Sequence, residues 1–214
     1  MEIRKAEYII SSVQPEGCPK PDRPEYAFIG RSNVGKSSLL NLLTGQKSLA
    51  KVSGTPGKTT TINHFNIQSA NDKGVFSQWF LVDLPGYGYA RRSLSQRKSW
   101  EKMIEAYLRQ RPNLVTLFLL IDSRHEPQAA DLDFIDKLGK WEVPFNLVFT
   151  KTDKSVQRVV SANMKAMVNA MRAEWEFIPR SFMTSIVKGT GRRELLTYIE
   201  DLNKQVEDAK KEVE

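Results

Sequence analysis

Cysteine and long apolar runs are nearly missing from this sequence. Cys18 is the single cysteine among 214 residues, so the chain cannot form an internal disulfide. No apolar run approaches the roughly 18 residues that a membrane-spanning helix needs, and the apolar stretch at residues 8–10 is too short for a secretory signal. These absences exclude a disulfide-stapled secreted domain and an integral membrane protein, and they predict a soluble protein of the reducing cytoplasm.

Histidine is also scarce, whereas positive charge is in excess. His64 and His125 lack the spacing of metal ligands, so we interpret them as structural or surface residues and expect no zinc site. The 32 basic residues exceed the 25 acidic ones and give a net charge of +7. This excess is compatible with a polyanionic partner such as RNA, and equally with an ordinary basic surface.

Short apolar runs alternate with helix-length segments along the chain, whose length suits one domain. This alternation predicts a three-layer α/β fold with a mainly parallel central sheet flanked by helices. The predicted strands lie at residues 8–13, 26–29, 62–67, 78–82, 115–121, 145–149 and around 175–178. We expect an N-terminal strand and leader at 1–23, the main domain at 24–206 and a polar C-terminal tail at 207–214.

A glycine-rich turn lies between the second predicted strand and a helical pattern, and it fits GxxxxGK[ST]. Gly30 and Gly35 allow a tight curl in which backbone amides face the α and β phosphates of a nucleotide. Lys36 can reach the β and γ oxygens, and the Ser37 hydroxyl can supply a ligand to Mg²⁺. The predicted phosphate-binding residues are Gly30, Arg31, Ser32, Asn33, Val34, Gly35, Lys36 and Ser37.

A second motif, DxPG, ends the apolar strand predicted at 78–82. Its residues are Asp83, Leu84, Pro85 and Gly86. The Asp83 carboxylate can hold Mg²⁺ through water, and the Gly86 amide can contact the γ phosphate. Loss of that phosphate would release the loop, which is the behaviour of a nucleotide switch.

A polar stretch at residues 54–61 separates these two motifs and is suited to order around a nucleotide and its ion. The residues predicted to contact them are Gly57, Lys58, Thr59, Thr60 and Thr61. One threonine should complete the Mg²⁺ coordination, and spacing alone does not choose among the three. We select Thr59, so that the predicted metal ligands are Ser37 and Thr59.

The motif TKTD follows the predicted strand at 145–149 and fits the [NT]KxD pattern that reads guanine. Its residues are Thr150, Lys151, Thr152 and Asp153. Asp153 can accept from both the N1–H and the exocyclic amine of guanine, while the Lys151 stem covers the base. The motif order therefore predicts GTP rather than ATP as the ligand. In the stretch 182–185, Phe182, Met183 and Thr184 are predicted to complete the base pocket, mainly through backbone groups.

Several stretches together resemble one family, the EngB (YihA/YsxC) GTPases. They are GRSNVGKSS at 30–38, TPGKT at 55–59, DLPGYGYA at 83–90, DSRHEPQAAD at 122–131 and TKTD. The likeness spans nearly the whole chain, although Phe182-Met183-Thr184 replaces the usual Phe-Ser-Ser and the hairpin at 68–78 is longer. The resemblance implies a Ras-like P-loop GTPase fold and a switch in large ribosomal subunit assembly, required for normal growth and division. We expect a monomer.

Tyr87 stands where Ras-like GTPases place a glutamine that orients the attacking water. Tyrosine cannot do this equivalently, so we expect slow hydrolysis without a partner, since an arginine finger alone contributes about 10³ to 10⁵ in turnover. The resemblance further implies that Asn33 could hold K⁺ in place of the finger. The predicted catalytic residues are Lys36, Asn33 and Gly86.

Basic residues follow the DxPG motif beside aromatic ones, at Arg91, Arg92, Arg97 and Lys98. They form either a nucleotide-sensitive face for rRNA or a solvated helix face. The open alternatives for the whole chain are a tRNA-modifying or signalling GTPase, a metabolic phosphotransferase, and a passive rRNA-binding module.

Overall fold

The computed structural model describes residues 1–50, 60–88 and 93–212, which form one seven-stranded sheet with helices on both faces. The strands are β1 (Glu2–Ser12), β2 (Glu25–Gly30), β3 (Ile62–Ala70), β4 (Phe76–Asp83), β5 (Leu114–Asp122), β6 (Phe145–Thr150) and β7 (Ser181–Met183). The helices are α1 (Lys36–Thr44), α2 (Leu94–Gln110), α3 (Ala129–Lys140), α4 (Gln157–Arg172) and α5 (Arg192–Lys211), with a short 3₁₀ turn at Pro15–Gly17.

The strand order β1-β3-β4-β2-β5-β6-β7 confirms the predicted mainly parallel α/β fold. β2 pairs in parallel with both β4 and β5, and β6 joins β5 to β7 in the same sense. β3 runs antiparallel to β1 and β4. The carboxyl ends of β2, β4, β5 and β6 therefore meet at one edge of the sheet, which is where ligands bind in open α/β folds.

Each face of the sheet carries its own hydrophobic core. One core packs apolar residues of α2, α3 and α4 against the sheet, and the other packs those of α1 and α5. The central strands are buried on both faces, which is why they read as continuous apolar runs rather than as an alternating pattern. Among the described helices, none combines the length and hydropathy of a membrane span.

The structure differs from the predicted strands at both ends of the chain. β1 begins at Glu2 rather than near residue 8, and its exposed edge position explains the charged residues that hid it from an apolar search. The strand predicted around 175–178 is wrong, and the last strand is β7. Trp175 packs against the core instead of forming a strand: its ring meets Phe145 edge-on at 5.5 Å and closely approaches Gly139.

A buried polar cluster lies at the amino end of β2, opposite the end that leads into the glycine-rich turn. The Glu25 carboxylate is fully buried and accepts hydrogen bonds from Arg111 Nη2 at 2.6 Å and Tyr107 Oη at 2.8 Å. His64 Nε2 lies 3.2 Å from the same carboxylate. Arg111 also donates to the carbonyl oxygen of Pro19 at 2.5 Å, so the cluster ties the N-terminal leader to the sheet.

This cluster makes a prediction about acid stability. Burial alone would raise the pKa of Glu25, but the hydrogen bonds from His64 and Arg111 lower it from 4.5 to about 2. A carboxylate whose pKa is lower in the folded state stabilises the fold above its unfolded pKa and loses that contribution as pH falls. The excess stability of the wild-type chain over Glu25→Gln should therefore shrink as pH drops from about 4.5 towards 2.

Urea unfolding of both proteins across this pH range measures that difference directly. Subtracting one protein from the other removes the contribution of every other carboxylate that titrates in the same range. A stability difference that stays constant with pH would contradict the assignment of Glu25 as a charged, hydrogen-bonded group.

Candidate functional site

The glycine-rich turn after β2 is shaped by two glycines and one left-handed asparagine. A Cβ added to Gly30 would lie 2.9 Å from atoms of Leu120 and Val34, so no side chain fits there. Asn33 has φ +61° and Gly35 has φ +103°, and these two left-handed residues bend the chain sharply before α1 begins. Such a bend turns successive backbone amides towards one side and places the amino end of a helix beside them, which forms an anion-binding cradle.

Lys36 and Asp83 meet at this cradle. The Lys36 ammonium is paired with the Asp83 carboxylate, and both side chains are largely buried. Lys36 is the first residue of α1 and Asp83 is the last residue of β4, so the ion pair brings the helix and the strand end together. Ser37 follows Lys36 in the first turn of α1. The residue that carries the Ser37 hydroxyl is therefore adjacent in the chain to the one that pairs with the Asp83 carboxylate.

The segment after Asp83 is held on both sides of Gly86. The Trp100 indole of α2 donates to the carbonyl oxygen of Pro85 at 3.1 Å. The amide of Tyr87 donates to the carbonyl oxygen of Gly30 at 3.3 Å. Gly86 is itself buried, so its peptide lies in a fixed position next to the glycine-rich turn.

The side chain of Tyr87 is directed into the protein core. Its hydroxyl donates to Asp131 Oδ1 at 2.7 Å, and its ring stacks on Phe134 with centroids 4.5 Å apart. Burial raises the pKa of Tyr87 well above its ordinary value, so the hydroxyl keeps its proton. The residue that stands in the position of the Ras glutamine is therefore part of the core.

The TKTD motif is bonded directly to the glycine-rich turn. Thr150 Oγ1 donates to the carbonyl oxygen of Val34 at 2.7 Å, and Lys151 Nζ donates to that of Asn33 at 2.6 Å. Lys151 Nζ also lies 2.8 Å from Asp122 Oδ2 at the end of β5. Burial raises the pKa of Asp122, but hydrogen bonds from Arg124 and Lys151 outweigh it and lower that pKa to about 2. The phosphate and base motifs are thus parts of a single site.

Asp153 is oriented by a residue whose role the sequence did not reveal. Ser185 Oγ donates to Asp153 Oδ1 at 2.6 Å and, as the largest cause, lowers the pKa of this carboxyl. The loop that carries Ser185 is fixed in turn, because Thr152 Oγ1 donates to the carbonyl oxygen of Thr184 at 3.1 Å. The signal in the sequence was the place of Ser185 at the end of the stretch 182–185, which was predicted to complete the base pocket.

The residues predicted to complete the base pocket lie in different surroundings. Phe182 and Thr184 are buried, with Phe182 packed against Phe118, whereas Met183 is 40% exposed. Ile186, which the sequence analysis did not single out, has its Cδ1 3.8 Å from the point where a Cβ on Gly35 would stand. Ile186 therefore lies beside Gly35, as does the Lys151 side chain, whose Cε is 3.9 Å from the same point.

Several predicted residues fall outside the described ranges. These are Gly57, Lys58 and Thr59 of the polar stretch, and Arg91 and Arg92 of the basic patch. Thr60 is exposed, and Thr61 Oγ1 donates to Asn63 Oδ1 at 2.9 Å. Lys98 is exposed on α2, which also carries Arg97.

A Ras-like sheet that gathers a P-loop, a DxPG segment and a TKTD motif at one edge defines the class of P-loop GTPases. The family model described as "50S ribosome-binding GTPase" matches residues 25–151. The chain is 50% identical to the "Probable GTP-binding protein EngB" of Porphyromonas gingivalis, over 96% of this chain and 98% of that protein. The protein of the same name from Christiangramia forsetii is 47% identical, over 96% and 100%. This chain belongs to the EngB family of GTP-binding proteins.

Solved structures agree on the fold. A crystal structure titled as a probable GTP-binding protein engB matches with a TM-score of 0.61 and 21% identity, over 85% of this chain and 99% of that one. A structure of Era in complex with MgGDPNP and nucleotides 1506–1542 of 16S ribosomal RNA matches with a TM-score of 0.64 and 21% identity, over 82% and 55%. The predicted fold class and the resemblance to EngB GTPases are both confirmed.

Proposed function

We propose that this protein binds GTP with Mg²⁺, hydrolyses it slowly, and acts as a nucleotide-dependent switch on the large ribosomal subunit. The observation that carries the nucleotide part is the direct bonding of Lys151 and Thr150 to the carbonyl oxygens of Asn33 and Val34. A base-reading motif and a phosphate cradle held together in this way suit one nucleotide that spans both.

The phosphate end would be bound by the curled turn at 30–37. Its amides and the amino end of α1 attract the anionic phosphates, and Lys36 neutralises the β and γ oxygens. Lys36 would extend its contact from Asp83 to the phosphates, because the three donors of one ammonium group can bridge both anions.

The donor set beside Lys36 fits Mg²⁺. Ser37 offers a hydroxyl and Asp83 a carboxylate, both hard oxygen donors of the kind that this ion prefers, and we propose Thr59 as a further ligand. When bound, Mg²⁺ would offset negative charge on the β and γ phosphates. Gly86, held between the anchors at Pro85 and Tyr87, would offer its amide to the γ phosphate.

The base would be read by Asp153, whose carboxylate accepts from the two neighbouring donors of guanine. Adenine presents no such pair of donors on its corresponding edge. The Lys151 stem and Ile186 would cover the base from the side of the turn, and the backbone of the loop that follows Phe182, Met183 and Thr184 would close the pocket.

Ser185→Ala tests whether the hydroxyl orients this carboxylate. We expect affinity for GDP to fall by about tenfold, the lower end of what a hydrogen bond to a charged group contributes. Isothermal titration with GDP measures the loss, and Ser181→Ala, at the start of β7, is the control. Equal affinities of Ser185→Ala and wild type would contradict the role of the hydroxyl.

Hydrolysis is proposed to be slow because the Tyr87 hydroxyl is committed to Asp131 and is therefore not available to orient the attacking water. Asn33 is exposed at the bend of the turn, where its side chain could help to hold K⁺ near the phosphates. We expect GTP turnover to be faster in K⁺ than in Na⁺ at equal ionic strength, and Asn33→Ala to remove the difference. Equal turnover in the two salts would rule out this role.

The ribosomal part of the proposal has three supports. The matching family model is described as a 50S ribosome-binding GTPase. The related Era structure contains a segment of 16S ribosomal RNA, an RNA of the small subunit, and so supports contact with ribosomal RNA in general. The net charge of +7 favours a polyanionic partner, and Arg91, Arg92, Arg97 and Lys98 follow the γ-phosphate segment along the chain. We propose that this basic patch contacts the ribosome in the GTP state. We further propose that the protein acts as a monomer in the cytoplasm.

Co-sedimentation with separated ribosomal subunits tests this part, using GDP, a non-hydrolysable GTP analogue, or no nucleotide. The proposal expects binding to the large subunit that is strongest with the analogue, and weaker binding when Lys98 and Arg97 are changed to Ala. Binding that ignores the nucleotide would favour a passive rRNA-binding module, and binding to neither subunit would favour a tRNA-modifying or signalling GTPase.

A further inference from the structure

We propose that the hydrogen bond between Tyr87 and Asp131 positions Gly86 for the γ phosphate and thereby sets the affinity for GTP relative to that for GDP. The inference rests on the proposed nucleotide site and adds Tyr87 and Asp131 to it as positioning residues. It also assigns a role to Asp131, the last residue of DSRHEPQAAD, a motif to which the proposed chemistry assigns no function.

The bond between the two residues is short and buried. Tyr87 Oη lies 2.7 Å from Asp131 Oδ1, and the two residues are 5% and 3% exposed. Phe134, one turn further along α3, stacks on the tyrosine ring at an interplanar angle of 15°. A hydrogen bond to a buried carboxylate contributes more than one between neutral groups, so this contact fixes the tyrosine firmly against α3.

Tyr87 can transmit its position to the phosphate cradle because its own backbone is part of that cradle. Its amide donates to the carbonyl oxygen of Gly30, and it forms an isolated parallel bridge with Arg31. Arg31 in turn lies close to Gly88, with its Cγ 3.6 Å from the point where a Cβ on Gly88 would stand. Gly86 is the neighbour of Tyr87, so any shift of Tyr87 displaces the Gly86 peptide as well.

The DSRHEPQAAD segment is tied to both halves of the site. At its start, Asp122 holds Lys151 of the base-reading motif at 2.8 Å. At its end, Asp131 holds Tyr87 of the γ-phosphate segment. The eight residues between Asp122 and Asp131 therefore connect the two ends of the proposed nucleotide site, and α3 supports Tyr87.

The effect expected on nucleotide affinity depends on which phosphate the Gly86 amide contacts. The Gly86 amide would contact only the γ phosphate, so loosening Tyr87 should weaken the GTP complex and spare the GDP complex. In Tyr87→Phe we expect the affinity for a non-hydrolysable GTP analogue, relative to the affinity for GDP, to fall by about tenfold. Turnover of GTP should fall with it, because the transition state uses the same amide.

Tyr26→Phe is the matched control. The Tyr26 hydroxyl is equally buried and donates to Asn203 Oδ1 at 2.8 Å, but it packs against α5, away from the phosphate cradle. Both substitutions remove one buried hydrogen bond and should lower the melting temperature, Tyr87→Phe by more because its acceptor is a carboxylate. Only Tyr87→Phe should change the GTP to GDP preference.

Two further variants separate the hydrogen bond from the packing of the ring. Asp131→Leu removes the acceptor and should reproduce the effect of Tyr87→Phe. Asp131→Asn keeps an oxygen acceptor for the Tyr87 hydroxyl and should retain most of the wild-type preference. Dissociation constants for GDP and the GTP analogue, turnover and melting temperature are measured for all five proteins.

Each outcome has a clear meaning. A Tyr87→Phe protein with wild-type preference and turnover would overturn the inference, and so would one that loses GDP and the GTP analogue equally. If Tyr87→Phe does not fold, the contrast between Asp131→Asn and Asp131→Leu decides, and equal preferences in those two would overturn the inference. A wild-type protein that binds neither nucleotide would instead refute the proposed function.

Discussion

Replacing Asp153 with asparagine is expected to transfer the nucleotide preference from guanine to xanthine. The Asp153 carboxylate accepts from two donors of guanine, whereas an asparagine amide offers one acceptor and one donor group. Xanthine carries an oxygen where guanine carries its exocyclic amine, so it matches the amide and mismatches the carboxylate. We expect affinity for GDP to fall by about 100-fold or more, because an unpaired buried polar group is added to the lost bonds.

Competition binding of GDP and xanthosine diphosphate to the wild-type chain and to Asp153→Asn measures this switch. Asp133→Asn, which removes an exposed carboxylate from α3, is the matched control and should leave both affinities unchanged. Ser185, which holds the carboxylate at 2.6 Å, can still pair with the amide oxygen, so the site should stay folded. An Asp153→Asn protein that still prefers GDP would contradict the assignment of Asp153 as the base-reading residue.

Replacing Arg111 with methionine is expected to destabilise the fold by about 3–5 kcal/mol, because it leaves the fully buried Glu25 charge without its cationic partner. The substitution also removes the hydrogen bond to the carbonyl oxygen of Pro19, which is one of the attachments of the N-terminal leader. Arg109→Met is the control, since Arg109 is exposed in the last turn of α2, two residues before Arg111, and its ion pair with Glu105 lies at the surface. That change should cost within about 1 kcal/mol.

Urea unfolding at neutral pH measures both costs. Arg111→Met combined with Glu25→Gln should be less destabilising than the sum of the single changes, because the neutral amide no longer needs a cation. Equal stability of Arg111→Met and Arg109→Met would show that the Glu25 cluster does not stabilise the amino end of β2.

The sequence located the motifs that the structure brings together, because these motifs are short, ordered and dictated by chemistry. Gly30 must lack a side chain for the chain to pass Leu120 and Val34, and Lys36 and Asp83 are fixed by their charges. The central strands were equally visible, since burial on both faces produces unbroken apolar runs.

The missed features depend on tertiary contacts that local pattern does not encode. β1 is an edge strand with charged residues, and β7 is only three residues long, so neither produced an apolar run of the expected length. The hydrogen bond from Tyr87 to Asp131 joins residues 44 positions apart, and that from Ser185 to Asp153 joins residues 32 positions apart. Only the folded chain shows that Tyr87 pairs with Asp131 and Ser185 with Asp153.

The most direct test of the account compares guanine with adenine nucleotides. The purified chain, with Mg²⁺ present, is titrated with GDP and ADP and with the non-hydrolysable analogues of GTP and ATP. The account predicts binding of both guanine nucleotides and affinities for the adenine nucleotides that are lower by about 100-fold or more, because a polar pocket left without its partners rejects the wrong base strongly. Equal affinity for guanine and adenine nucleotides, or binding of neither, would contradict it.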